Sequence, residues 1–165
     1  MIEDLSGAPA WLVLLVAGQA MFLAAIAVYD IRHRRVPNVA IYPAIGVAVV
    51  LAFLRPDGPW YGFIAAGAGV GLLFVGLDIV SHGGMGMGDA KLATFIGLIA
   101  GWPGVLVAGF VAFALGAAAG LLLMATGRVG RRDPIPFAPA LAVGAMVAAV
   151  AGRDVVRILW PGIAG

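Results

Sequence analysis

The sequence predicts an all-α, polytopic membrane bundle of about six transmembrane helices, and three observations carry that prediction. Hydrophobic residue types make up 63% of the 165 residues, charged types only 11%, and the mean hydropathy is +1.09. An average globular domain is nearer half apolar and a quarter charged. Long apolar stretches recur between short polar segments, and one crossing takes about 20 residues. This composition excludes an ordinary soluble enzyme, a disordered chain and a coiled coil. With 25 Gly and 10 Pro but no collagen period, it excludes a fibrous repeat as well. Residues 1–165 read as a single transmembrane domain.

The first span reads from about Pro9 to Tyr29 and stops at Asp30, which Arg32, His33, Arg34 and Arg35 follow. Pro37 and Asn38 then punctuate a turn. A second span runs from about Val39 to Leu54 and is closed by Arg55-Pro56-Asp57-Gly58-Pro59. A third runs from Trp60 to about Val80, with Trp60 and Tyr61 as interfacial anchors. The segment Ser81 to Asp89 is too rich in Gly to continue a helix. Apolar sequence resumes at Ala90 and reaches Gly101, where Trp102-Pro103-Gly104 forces a turn. The fifth span covers Val105 to about Thr126, and the sixth about Ala138 to Ala151. The fourth stretch is only about a dozen residues long, well short of a bilayer. Irregular backbone at that depth is tolerated only where protein or a water-filled cavity surrounds it. The spaced glycines Gly67 and Gly71, Gly97 and Gly101, and Gly116 and Gly120 read as close helix packing.

Orientation follows from the basic residues. If the first span exits into the cytoplasm, the inner loops hold Arg32, Arg34, Arg35, Lys91, Arg128, Arg131 and Arg132, and the outer side only Arg55, Arg153 and Arg157. Seven against three predicts an N-terminus outside. The chain contains no Cys, which excludes a disulfide framework and a thiolate metal site or nucleophile. Ten basic residues spread along a membrane chain make no patch for nucleic acid. A cleaved signal peptide is not expected: Glu3 and Asp4 are acidic, and the apolar run after them is too long.

The residues that need an explanation are acidic ones beside apolar spans: Asp30, Asp78 and Asp89. A carboxylate near membrane depth is costly, and its default reading is functional. Asp30 ends the first span and Asp89 opens the fourth, so topology brings both to the predicted cytoplasmic face. Two converging carboxylates do not both ionise readily, so one serves as acid while the other serves as base. Such a pair activates a water and protonates a leaving amine, which is aspartyl proteolysis. The bland alternative pairs Asp30 with the nearby arginines and makes Asp89 a helix cap. Gly86 and Gly88 let backbone approach a substrate strand with no side chain in the way. Lys91 either meets a substrate carbonyl or snorkels to the interface. Nucleotide binding at this glycine run fails, because no strand precedes it and an Asp at the helix start repels phosphate. A metal site built from Asp30, His33, His82 and Asp89 has no diagnostic spacing.

Gly86-Met87-Gly88-Asp89-Ala90-Lys91-Leu92 resembles the GxGD signature, extended to GxGDxKL, of type IV prepilin peptidases. The segment from Asp30 to Asn38 is similar to that family's other element, an aspartate at a helix end followed by basic residues and a Pro-Asn turn. Pro134-Ile135-Pro136-Phe137-Ala138-Pro139 resembles a third element, the IPFGP-like segment before the last helix. The order of all three agrees over about residues 15 to 150. The resemblance implies a membrane aspartic endopeptidase that removes the basic leader of prepilin or pseudopilin substrates at the cytoplasmic face of the bacterial inner membrane. Asp30 and Asp89 would be its catalytic pair, with no metal and no cofactor.

Larger family members carry an N-terminal Cys-containing loop and a methyltransferase activity, neither of which is expected here. The compact form looks like the short peptidases of Flp-type (tight-adherence) pili, and Ala138 stands where the family commonly has Gly. Pro37 and Asn38 would shape the turn after Asp30. Asp78 and His82, four apart and on one face if the third helix extends that far, would be a support pair. Two rivals use the same residues differently: a small proton-coupled transporter or channel, in which the carboxylates relay protons, and a non-catalytic pilus-assembly subunit.

Overall fold

The computed structural model describes residues 10–55, 58–81, 84–127, 130 and 136–159. Among them are five helices and no strand: α1 (Ala10–His33), α2 (Asn38–Leu54), α3 (Trp60–Val80), α4 (Met87–Ala125) and α5 (Ala138–Leu159). By length and composition, α1 over Val13–His33, α3 and α4 are able to cross a membrane, while α2 and the part of α5 over Ala138–Gly152 are shorter apolar helices. Some helix ends differ from expectation. α1 continues past Tyr29 to His33, so Asp30 lies in its last turn, and α5 runs to Leu159, so Arg153, Asp154 and Arg157 belong to a helix rather than a tail.

The expected turn at Trp102-Pro103-Gly104 appears as a break inside α4. Gly101 (φ 62°, ψ −173°) and Trp102 (φ −88°, ψ 137°) leave helical geometry. A Cβ on Gly101 would lie 2.6 Å from the Phe63 ring, so space and φ both demand glycine here. In an unbroken helix the Ile99 carbonyl would accept the N–H of residue 103, but Pro103 has none. The Arg55 guanidinium donates to that carbonyl instead, at 2.6 Å, while lying 4.7 Å above the centre of the Phe63 ring.

Contacts on either side of the break show that the chain reverses there. Along the first arm, 87–100, Leu98 and Gly97 meet Gly67 while Thr94 meets Gly71, so this arm is antiparallel to α3. Along the second arm, Trp102 and Val105 share a hollow with Pro59 and Phe63, and Phe113 meets Phe74 at 5.5 Å, so this arm is parallel to α3. The two arms are thus the fourth and fifth expected spans, and α5 returns along the second arm, with Gly116 at Phe137 and Gly144 at Ala108.

The first arm is the centre of the bundle. Ala90, Leu92, Ala93, Phe95, Ile96 and Leu98 are all buried. Phe95 meets Phe22 of α1 edge-on at 5.1 Å, Lys91 reaches α2, and the glycine contacts join it to α3. A helix too short to span lipid is stable because protein surrounds it. Large apolar side chains such as Leu14, Met21, Leu72 and Leu121 are exposed on the outer helices, as a lipid-facing surface requires. One end of the bundle gathers Asp30, Asn38, Asp89 and Ala138. The far end gathers Arg55, Trp102 and the Phe53–Trp60 stack at 5.1 Å, an interfacial aromatic cluster.

Candidate active site

Asp30 is buried, at 4% exposure, in the last turn of α1. Its Oδ2 accepts the N–H of Ala138, the first residue of α5, at 3.2 Å. A helix's first N–H groups have no partner inside the helix, and its N-terminus favours negative charge. Asp30 therefore closes the start of α5 across 108 positions of sequence. The arginines beside it, Arg32, Arg34 and Arg35, are all exposed. Its hydrogen bond goes to backbone instead, against the reading that paired it with them. α1 ends as the Arg34 N–H donates to the Asp30 carbonyl at 2.7 Å and Arg34 adopts a left-handed φ of 52°.

Asp89 is the third residue of α4 and half-buried. The helix starts at Met87, three residues before the expected Ala90, because the Gly86 carbonyl accepts the Asp89 and Ala90 N–H groups at 2.9 and 3.4 Å. Asp89 thus sits inside the first turn and is not the cap, a place where the helix N-terminus favours a carboxylate.

The two glycines of the motif do different things. A Cβ on Gly86 would meet only the Asp89 carboxylate, at 3.6 Å, and its backbone is exposed. A Cβ on Gly88 would fall 3.0 Å from the Val36 Cβ, so Gly88 is a notch filled by the turn that follows Asp30. Pro37, extended at φ −72°, starts α2 by accepting the Ala40 and Ile41 N–H groups, each at 3.1 Å. Next to it Asn38 Oδ1 accepts a hydrogen bond from Lys91 Nζ at 2.8 Å, and the same ammonium lies 4.9 Å from the Tyr42 ring centre.

Asp78 is half-buried in the last turn of α3, and its carbonyl accepts the Ser81 hydroxyl at 3.2 Å. α3 ends at Val80, and His82 lies outside the described residues. His33 is exposed and stacked on Tyr29 at 4.1 Å, with Nδ1 3.1 Å from the Tyr29 carbonyl. No three His, Cys, Asp or Glu among the described residues are grouped to hold a metal ion. Sequence reasoning missed Ala138, Val36 and Tyr42. The signal for Ala138 was present, since it stands within the IPFAP-like segment, but nothing there named Asp30 as the partner.

A family model described as the type IV leader peptidase family matches residues 17–121. The chain is 33% identical over 132 residues to a prepilin leader peptidase/N-methyltransferase of Bacillus subtilis, covering 79% of this chain and 53% of that protein. A protein of the same description from Xanthomonas campestris is 31% identical over 145 residues (82% and 49%), and one from Pseudomonas aeruginosa 26% over 140 residues (82% and 48%). The chain spans about half the length of these curated relatives. No solved structure matches it.

Proposed function

Because the chain belongs to the type IV leader peptidase family, we propose that it is a membrane aspartic endopeptidase that cuts the basic leader from prepilin-like proteins. Cleavage takes place at the cytoplasmic face of the bacterial inner membrane, with the N-terminus outside. One observation carries the proposal: Asp30 and Asp89, from separate helices and 59 positions apart, sit at the same end of the bundle, where Val36 of the turn after Asp30 is seated against Gly88.

In the proposed reaction the ionised member of the pair takes a proton from water as the water oxygen attacks the scissile carbonyl carbon. The protonated member donates to the carbonyl oxygen. The tetrahedral intermediate then collapses: one of its hydroxyls returns its proton to the second carboxylate, the C–N bond breaks, and the departing amine takes the proton that the first carboxylate received. Ala138 holds one oxygen of Asp30 in place throughout. The extended scissile segment approaches over Gly86, where no side chain stands in the way. Gly88 serves the same site from inside, by seating Val36.

The substrate's apolar helix packs beside this end. A groove of about 530 Å³ between α1 and α5, lined by Ala24, Ala27, Pro139, Ala142 and Val143 among others, runs up to the site. Ala27 is one turn from Asp30, and Pro139 adjoins Ala138. A second apolar hollow, between α3 and the second arm of α4, is lined by Pro59 and Trp102 at the far end and cannot put a scissile bond at the aspartates. Co-expression with a prepilin, read by gel mobility, tests the proposal: Asp30→Asn and Asp89→Asn should each leave the leader attached. A transporter would instead give flux in proteoliposomes without cleavage, and a scaffold would tolerate both neutral substitutions.

A further inference from the structure

Resting on that reading, we infer that Lys91, Asn38 and Tyr42 form a latch that fixes the separation of the two aspartates, making Lys91 and Asn38 positioning residues. Lys91 is two residues beyond Asp89, about 200° further around the helix. The two side chains therefore leave the first arm of α4 on nearly opposite faces. The Lys91 ammonium turns towards α2, 2.8 Å from Asn38 Oδ1 and 4.9 Å from the Tyr42 ring centre. Its role is to hold α2, and it does not reach the scissile bond.

The importance of that grip lies in what α2 is attached to. Asp30 lies in the last turn of α1, and only the four residues Arg34 to Pro37 separate that helix from Asn38. That turn meets the start of α4 through Val36, seated in the notch of Gly88, one residue before Asp89. Apolar packing at Val36, and at the buried Ile41 further along α2, supplies no directional bond and leaves the turn free to slide. The second point, Lys91 on Asn38, removes that freedom, because the two contacts lie on either side of Asp89 along α4. The pair of aspartates is thus clamped from the α2 side, while Ala138 fixes Asp30 from the α5 side.

The chain has no Cys, so Asp30→Cys/Asp89→Cys carries the only two thiols, and its cross-linking rate with a short bifunctional thiol reagent reports their separation. Adding Lys91→Met or Asn38→Leu should slow that cross-linking by about tenfold, and Lys91→Arg, which keeps a donor and a cation over Tyr42, should restore it. In the otherwise native enzyme acting on a prepilin, the first two substitutions should each lower kcat by about tenfold with KM held within about twofold. Combining them should be no worse than Lys91→Met alone, since that substitution already breaks the contact with Asn38. Unchanged cross-linking, losses that multiply in the double variant, or a rise in KM with kcat intact would overturn the latch. If instead Asp30→Asn still cut prepilin, the peptidase reading would fall while slowed cross-linking would still support the latch.

Discussion

Adding one methyl group at Gly97 tests whether the first arm of α4 is held against α3 as closely as the fold requires. A Cβ there would lie 2.7 Å from the Ala66 carbonyl oxygen, 2.7 Å from the Gly67 Cα and 2.8 Å from a Val70 methyl. Ordinary contact is about 3.5–4.0 Å, so α3 must retreat by about 1 Å. Two of the three atoms are backbone and cannot rotate aside. The overpacking cost then falls near the top of its usual range, about 3 kcal/mol. Replacing Gly by Ala inside a helix returns about 1 kcal/mol. Gly97→Ala should thus lose about 2 kcal/mol, or a melting point lower by about 4–8 °C for a chain of this size. Gly109, in the second arm of the same helix, has nothing within 4 Å of such a Cβ. Gly109→Ala should keep the propensity gain and unfold at or slightly above the native temperature. Tryptophan fluorescence in detergent micelles would follow both. If Gly97→Ala unfolded no lower than Gly109→Ala, the close approach of α3 and α4 would be wrong.

Other outcomes follow from the same contacts. Arg55→Met withdraws the guanidinium from the Ile99 carbonyl and should cost about 1–3 kcal/mol in thermal unfolding. Arg55→Lys should recover only part, because an ammonium lacks the planar face that lies on Phe63. Gly101→Ala forces a side chain into φ 62° and against Phe63 and should destabilise by at least about 1–3 kcal/mol in the same assay. Ala24→Trp fills the α1–α5 groove and should raise KM for a prepilin with kcat held, whereas Leu73→Trp, in the far hollow, should change neither. An equal effect of both tryptophans would remove the groove from the substrate path.

The spans were legible because lipid leaves a coarse imprint: every crossing must be apolar throughout. The break in α4 was legible for a local reason, since Pro103 removes a helical N–H and Gly101 supplies the left-handed φ. Its resolution was not, because the donor to the Ile99 carbonyl is Arg55, 44 positions earlier. Asp30 and Asp89 could be placed on one face by counting crossings, without any knowledge of packing. What holds them was hidden for the same reason that made the spans plain. Helices apolar all round give no stripe to say which face turns inward. Hence Gly88 read as an opening for substrate, although Val36 fills it, and Lys91 read as snorkelling or substrate-binding, although it grips Asn38. The partner of Asp30 is a backbone N–H, a group that every residue but proline carries and that no motif can single out.

The most direct test of the central claim is the rate at which purified Asp30→Asn and Asp89→Asn proteins cleave a prepilin with a basic leader. Each substitution keeps the shape of its side chain and removes the ability to exchange a proton. Both should unfold near the native temperature and lose activity on the order of 10³-fold or more. Processing at the native rate by either protein, at equal amounts, would show that these two carboxylates do not perform the reaction.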